Sequence, residues 1–201
     1  MDPLIEGYRK FRQDVWPQER ARYQELAKGG QSPETMVVSC SDSRVDPQTI
    51  FSAVPGELFV VRNVAGIVPP YEPDGRRHGT SAALEFAVCV LKVRRIVVMG
   101  HALCGGVRAI VEGTPPQARD FVAEWVDVAR RALDGTERID QADSLARVEA
   151  AVVRLSLQNL MTFPWIAERV VAGELTLHGF RFDIHTGVLA LIDGDAMAPV
   201  D

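Results

Sequence analysis

Residues 35–44 read TMVVSCSDSR, a short apolar run that ends in a cysteine and is followed by an aspartate and an arginine. The run Thr35–Cys40 is continuously apolar and rich in valine, which is typical of a strand buried on both faces of a parallel sheet. Two later runs, Glu57–Arg62 and Arg95–Gly100, have the same character. The three runs predict a parallel sheet, and sites in such sheets form at the carboxyl ends of the strands.

Helical patterns surround these strands. Four helical stretches are predicted after the first strand, at Pro47–Ala53, Thr80–Leu91, Gly105–Val111 and Gln117–Ala172. Thr80 or Ser81 is the predicted N-cap of the second stretch, and Cys89, inside it, is expected to pack in the core. Pro164 is predicted to open the last helix of the fourth stretch.

The two ends of the chain complete the predicted fold. Apolar residues recur at helical spacing over Pro3–Ala27, which predicts an amphipathic arm that Pro17 breaks or kinks. Leu175–Ile184 and Val188–Ile192 predict a β-hairpin. The fold class is therefore α/β, with a mostly parallel central sheet flanked by helices, an N-terminal helical arm, and C-terminal helices and hairpin. We expect one domain, divided into the arm (1–30), a metal-site core (31–111), and a helical region with the terminal hairpin (112–201).

Composition excludes several classes of protein. The chain has 201 residues, 47% of them hydrophobic, and a formal net charge of −5 with scattered basic residues, which argues against a nucleic-acid or anionic-membrane surface. Its apolar runs are too short to span a bilayer, and its polar N-terminus does not resemble a secretory signal. Three cysteines therefore favour metal ligation or burial over disulfides, and a cytoplasmic location is expected.

Potential metal ligands follow two of the predicted strands. Cys40 ends the first strand with Asp42 two residues on, and His101 and Cys104 come directly after the third strand. Neighbouring parallel strands lie about 4.8 Å apart, so the two loops can bring these four side chains together. Thiolates, imidazole and carboxylate are all zinc ligands. The pattern predicts a zinc site of Cys40, Asp42, His101 and Cys104.

Four protein ligands close a zinc site, whereas catalysis needs an open position for water. Arg44 lies two residues after Asp42, and its guanidinium can hold a carboxylate through two hydrogen bonds. If Asp42 pairs with Arg44 it leaves the metal, and water can take its place. The alternative is a structural or regulatory zinc protein in which Asp42 stays bound.

The segments around these ligands resemble a known family. Cys40–Pro47 reads CSDSRVDP, and the run from Glu85-Phe86-Ala87-Val88 to Gly100-His101-Ala102-Leu103-Cys104-Gly105 carries the second motif. Both are similar to the signature segments of the β-class carbonic anhydrases, and the similarity extends through Pro55–Ala65. This resemblance implies a zinc enzyme that hydrates carbon dioxide reversibly to bicarbonate and a proton.

The resemblance also implies roles for individual residues. Cys40, His101 and Cys104 match the permanent zinc ligands, and Asp42 and Arg44 match a dyad that orients the attacking hydroxide. Four residues match the substrate pocket of plant-type members, namely Gln31, Phe59, Val64 and Phe86. The family builds its site at a dimer interface, which implies a homodimer or higher even oligomer in which Gln31 and Phe59 serve the partner's zinc.

This sequence departs from the family pattern at two positions. Phe86 stands where plant-type members commonly carry tyrosine, and Val37 stands where members with an inhibitory bicarbonate site carry tryptophan. That inhibitory site is therefore predicted to be absent, although Arg62 matches one of its members. His78 is a possible proton shuttle or an ordinary loop histidine, and a sulfur analogue such as carbon disulfide stays open as the substrate.

Overall fold

A computed structural model describes residues 2–133 and 142–200 of the chain. Its centre is a six-stranded sheet in the order β2-β1-β3-β4-β5-β6. The strands are β1 (Thr35–Cys40), β2 (Leu58–Asn63), β3 (Arg95–His101), β4 (Thr176–Phe182), β5 (Leu189–Asp193) and β6 (Ala196–Pro199). The first four strands pair in parallel and the last two pair antiparallel. The predicted α/β class with a mostly parallel sheet is confirmed.

Helices cover the sheet and form the N-terminal arm. The α-helices are α1 (Asp2–Lys10), α2 (Trp16–Gly29), α3 (Pro47–Ile50), α4 (Gly79–Glu85), α5 (Gly105–Glu112), α6 (Val122–Asp127), α7 (Ala142–Leu160) and α8 (Pro164–Val171). Two π-helical segments, Phe11–Val15 and Phe86–Val90, join α1 to α2 and continue α4. Two 3₁₀ turns lie at Val64–Gly66 and Arg130–Leu133. Pro164 opens α8, as predicted.

Several sequence-based predictions need correction. The N-cap of α4 is His78, because the Thr80 hydroxyl is buried and accepts a hydrogen bond from Asn63 Nδ2 instead. Cys89 lies exposed in the second π-helical segment and is not a core residue. The predicted break in the arm lies just before Pro17, at the π-helical segment Phe11–Val15, and Pro17 itself falls in the first turn of α2, where a missing N–H is tolerated. Strand β6 was not predicted, and its four residues are exposed.

The long helical stretch predicted over Gln117–Ala172 is in fact interrupted. Within it the structure has α6, a 3₁₀ turn, α7 and α8, and residues 134–141 lie outside the described part of the chain. Among the described residues, no helix is long and apolar enough to cross a membrane.

The sheet separates two apolar clusters. Met36, Val38, Ile96 and Val98 belong to one cluster, and Val37, Val97 and Met99 belong to the other, as alternation along β1 and β3 requires. Because both faces are covered, the two strands are buried along nearly their whole length. Their carboxyl ends, at Cys40 and His101, are therefore fixed side by side on a rigid base.

Candidate metal centre

Three side chains meet at the carboxyl edge of the sheet. Cys40 ends β1, His101 ends the adjacent strand β3, and Cys104 is the N-cap residue of α5. Their ligand atoms all lie within 4.8 Å of one another, and the Sγ atoms of Cys40 and Cys104 are 3.8 Å apart. All three residues are buried. The structure therefore gathers these three predicted ligands at one point.

The chemistry of this group fits zinc. Tetrahedral zinc with Zn–S bonds of about 2.3 Å sets its two sulfurs roughly 3.8 Å apart, which matches the observed separation. The imidazole of His101 is 1% exposed, and its Nδ1 lies 2.9 Å from the carbonyl oxygen of Ala102, to which it donates. Its Nε2 is buried without a hydrogen-bond partner among the described residues. A metal-binding histidine is oriented in this way, with one nitrogen tied to a carbonyl and the other directed at the metal.

The thiol groups of Cys40 and Cys104 differ in pKa. A hydrogen bond from Cys104 lowers the pKa of Cys40, against the opposing effect of burial and with help from His101. The same hydrogen bond, together with burial, raises the pKa of Cys104, although the backbone amides of Val107 and Gly106 at the start of α5 act in the opposite direction. Cys40 is thus the thiolate of the pair. A metal that binds both sulfurs must displace the remaining proton.

Burial disfavours the charged form of His101, but attraction to the Cys40 sulfur and the hydrogen bond to the Ala102 carbonyl act in the opposite direction, and the net effect is a raised imidazole pKa. The three side chains therefore form one interacting group, in which the thiolate is the dominant charge.

Asp42 lies beside this group but is held by Arg44. Arg44 Nε donates to Asp42 Oδ1 at 2.9 Å, its Nη2 donates to Oδ2 at 2.7 Å, and its backbone N–H donates to Oδ1 at 3.0 Å. These hydrogen bonds hold the pKa of Asp42 well below its usual range. Asp42 Oδ2 is still only 4.0 Å from His101 Nε2. The carboxylate thus lies at the edge of the group of three side chains while it is paired with Arg44.

Two supports of the site were not recognised from the sequence. Arg62 donates to the carbonyl oxygens of Cys40 at 2.9 Å and Asp42 at 2.5 Å, and so ties down the loop after β1. Glu149, on α7, accepts a hydrogen bond from the backbone N–H of Cys104 at 3.4 Å and pairs with Arg181 at 2.8 Å. A sequence signal for Glu149 does exist, since it is the charged residue in the otherwise apolar stretch Val148–Val153.

The predicted pocket residues do not all lie near the metal group of their own chain. Val64 directly follows β2, whose last residue, Asn63, pairs with Cys40. Phe59 pairs with Met36 and precedes Asn63 by four positions, about 13 Å along the strand. Its ring stacks on Phe86 with centroids 5.9 Å apart.

Gln31 is exposed in the loop before β1, at the opposite end of that strand from Cys40. One chain therefore places Val64 near the metal group, and Gln31 and the Phe59–Phe86 stack at a distance from it.

A separate cavity of about 960 Å³ adjoins Val64. Trp125 lines it and donates its indole N–H to the Val64 carbonyl oxygen at 2.7 Å. His78 lines the same cavity and is hydrogen-bonded to Asp74 at 2.7 Å. The four predicted metal ligands do not line it, so the metal centre and this cavity are different features of the surface.

Known proteins share this arrangement of sequence and fold. The sequence model of the carbonic anhydrase family matches residues 35–189. A carbonic anhydrase of Pseudomonas aeruginosa is 38% identical over 197 residues, covering 96% of this chain and 88% of that protein. Beta carbonic anhydrase 3 of Arabidopsis thaliana is 34% identical, covering 97% of this chain and 78% of that protein.

Solved structures agree with these relatives. The β-carbonic anhydrase CcaA superposes with a TM-score of 0.92 at 33% identity, covering 100% of this chain and 99% of that one. One of two tetrameric β-carbonic anhydrases from Sordaria macrospora superposes with a TM-score of 0.82 at 28% identity, covering 95% of each chain. The chain therefore belongs to the β-class carbonic anhydrase family, the enzymes that hydrate carbon dioxide.

Proposed function

We propose that the chain hydrates carbon dioxide reversibly at a zinc ion held by Cys40, His101 and Cys104. One observation carries the proposal: His101 Nε2 is buried without a partner among the described residues, beside two sulfurs at the spacing of a tetrahedral zinc site. When bound, zinc supplies a Lewis acid that makes water a nucleophile near neutral pH. The chain itself supplies orientation, a hydrogen-bond acceptor and an apolar surface for the substrate.

Asp42 is the proposed acceptor. Both of its oxygens are held by Arg44, and Oδ2 faces the metal group at 4.0 Å from His101 Nε2. A carboxylate in this position accepts a hydrogen bond from the attacking water and directs a lone pair towards the carbon of the substrate. Because Arg44 keeps Asp42 ionised, the acceptor stays available across the working pH range.

The assignment of Asp42 as a fourth ligand stays a prediction. In the described structure it is paired with Arg44 and lies outside the group of three. We propose that the fourth ligand position belongs to Asp42 only in a resting form, in which the carboxylate has left Arg44.

The substrate pocket is proposed to be completed by a second copy of the chain. Val64 adjoins the metal group, whereas Gln31 and Phe59 lie too far along the strands to reach Cys40 of the same chain. The N-terminal arm also favours a dimer, since α1 has no buried residue and its Leu4 is 77% exposed. Phe86, which is 43% exposed, provides an apolar surface for carbon dioxide. Even-numbered assembly is consistent with the tetrameric Sordaria macrospora relatives.

Subunit mixing tests this shared pocket. Cys104→Ala and Phe59→Ala chains, each with low activity alone, are unfolded and refolded together. If Phe59 serves the partner, a mixed dimer contains one centre with intact ligands and an intact Phe59, and activity returns. If Phe59 serves its own chain, neither centre of the mixed dimer is complete and activity stays low.

Two alternatives share the fold. In a structural or regulatory protein, Asp42 stays on the metal, and the chain binds zinc without hydrating carbon dioxide between about pH 6.5 and 9, around the titration range of zinc-bound water. In an enzyme for a sulfur analogue, carbon disulfide replaces carbon dioxide. Stopped-flow assays with both substrates across this pH range, on protein of measured zinc content, separate the three. The proposed function requires rapid carbon dioxide hydration.

The cytoplasmic location and the absence of the inhibitory bicarbonate site stay predictions.

A further inference from the structure

Glu149 is a buried carboxylate without an assigned role. It lies on α7, is 2% exposed, and is the buried carboxylate among the described residues. Its Oε2 accepts from Arg181 Nε at 2.8 Å, and Arg181 is itself only 11% exposed. Burying such an ion pair carries a desolvation cost, so its presence in the core needs an explanation. Glu149 contacts the loop after β3, which carries Cys104.

Glu149 binds the peptide group that joins Leu103 to Cys104. The N–H of Cys104 donates to Glu149 Oε1 at 3.4 Å, while the carbonyl oxygen of Leu103 accepts from Arg44 Nη2 at 3.4 Å. The same peptide unit is therefore held from both sides. One side belongs to the buried pair and the other to the residue that holds Asp42.

This peptide follows a strained residue. Leu103 has φ of +55°, in the left-handed region that residues with a side chain rarely adopt. Such conformations persist only where surrounding contacts hold them, and they concentrate at functional sites. The turn at Leu103 lets Cys104 follow His101 closely and start α5 with its sulfur beside Cys40. Relaxation of Leu103 would move that sulfur.

We infer that Glu149, fixed by Arg181, is a positioning residue for the metal centre, holding the Leu103–Cys104 peptide so that Cys104 is preset for zinc. The inference rests on the proposed zinc centre and adds a second layer to it. Glu149 touches neither substrate nor the reacting atoms. Its effect is exerted on zinc affinity through Cys104.

Zinc affinity measured by chelator competition is the first test, on full-length protein with the fold checked by circular dichroism. Glu149→Ala should weaken zinc binding about 10- to 100-fold, as loss of outer contacts to metal ligands typically does. Glu149→Gln, which keeps an oxygen acceptor but loses the charge facing Arg181, should weaken it less. Ser156→Ala is the matched control: Ser156 is buried on the same helix and its hydroxyl oxygen accepts a hydrogen bond from the backbone N–H of Val68, so its loss should leave zinc affinity unchanged.

A second test removes the backbone strain at Leu103 and again measures zinc affinity. A residue that only stabilised the fold would not respond to this change. Leu103→Gly should restore most of the zinc affinity lost in Glu149→Gln, because glycine adopts positive φ without strain. It should not alter the affinity of Ser156→Ala protein. Unchanged zinc affinity in both Glu149 variants, or equal losses in Glu149→Gln and Ser156→Ala, would overturn the inference while leaving the zinc centre intact. A parent chain that binds no zinc would overturn the centre and the inference together.

Discussion

The two loops that flank the proposed metal ligands are built differently. The loop after β1 runs from Ser41 to Asp46 and is partly exposed, and the loop after β3 runs from Ala102 to Cys104 and is largely buried. Arginine pairs hold the first loop: Arg44 binds Asp42, and Arg62 binds the backbone. The second loop is held by the core, through Glu149 and a strained Leu103.

The difference separates the two tasks of the site. The end of β3 and the buried loop supply two of the proposed ligands, His101 and Cys104, whose positions must not vary. The partly exposed loop supplies Cys40 at its base and Asp42, whose carboxylate changes partner in the proposed cycle between Arg44 and the metal. Arg44 joins the two loops, since it binds Asp42 and also donates to the carbonyl oxygen of Leu103. A change in the first loop can therefore be transmitted to the second.

The largest effect is expected in the buried loop. Cys104→Ala removes a ligand that lies 3.8 Å from the other sulfur, and the chain should lose stoichiometric zinc and carbon dioxide hydration together. Atomic absorption and stopped-flow assays measure the two losses. Cys89→Ala is the matched control, because Cys89 is exposed and distant from the ligands in the fold; it should keep both properties. Full activity in Cys104→Ala protein would exclude the proposed centre.

A smaller loss is expected in the exposed loop. Arg44→Ala frees the carboxylate of Asp42, which should move onto the metal and lower kcat/KM by about 100-fold while zinc stays bound, since a misplacement of about 1 Å can cost this much. The absorption spectrum of cobalt-substituted protein reports the change in coordination.

The double variant Asp42→Ala with Arg44→Ala isolates the cause. It has no carboxylate to bind the metal, so its cobalt spectrum should return to that of the open site. A spectrum that is unchanged in Arg44→Ala protein, or that fails to return in the double variant, contradicts the change of partner.

Sequence reasoning predicted the exposed loop better than the buried one. The spacing of Asp42 and Arg44 predicted their ion pair, and the structure contains it. Such a pair can be predicted because residues two apart in a loop are close whatever the rest of the fold does. The strands β1 and β3 were also predicted nearly to the residue, since buried parallel strands have an uninterrupted apolar pattern.

The supports of the buried loop depend on contacts between distant segments. Glu149 and Arg181 are 32 residues apart, and Glu149 and Cys104 are 45 apart, so no local spacing indicates that they meet. The N-cap of α4 was wrong for the same reason: the Thr80 hydroxyl accepts from Asn63, which a sequence pattern does not reveal. The distance between Cys40 and the Phe59–Phe86 stack also became visible only from the strand register.

A still smaller effect is expected where Arg62 holds the exposed loop from β2. Arg62→Ala removes hydrogen bonds to the carbonyl oxygens of Cys40 and Asp42 and an ion pair with Asp46. The free energy of unfolding should fall by about 1–3 kcal/mol, measured by urea denaturation, because partly buried carbonyls lose their donors. The fall in kcat/KM should be smaller than in Arg44→Ala protein, since Arg44 still holds the carboxylate. Arg95→Ala, which removes a more exposed ion pair with Glu34 and a hydrogen bond to Thr35 at the amino ends of β1 and β3, is the control and should change neither value appreciably.

The smallest effect is expected at Asp183, which pairs with Arg181, the partner of Glu149. This carboxylate accepts from the backbone N–H groups of His185 and Thr186 and pairs with Arg181 at 3.4 Å. The hydrogen bond from His185, followed by that from Thr186 and by attraction to Arg181, lowers the pKa of Asp183. A lowered folded-state pKa stabilises the fold fully above the ordinary carboxyl pKa of about 4, and the stabilisation is lost as pH falls through the folded-state value.

Asp183→Asn keeps an oxygen for the turn but cannot ionise, so it should be less stable than the parent chain at pH 7, and the difference should shrink as pH falls through the folded-state pKa of Asp183. Thermal unfolding at several pH values measures the convergence of the two curves. Asp195→Asn, at an exposed position in the turn between β5 and β6, is the control for the loss of an acidic side chain. A constant offset in Asp183→Asn protein would show that Asp183 acts through its shape rather than its charge, and that Arg181 depends on Glu149 alone.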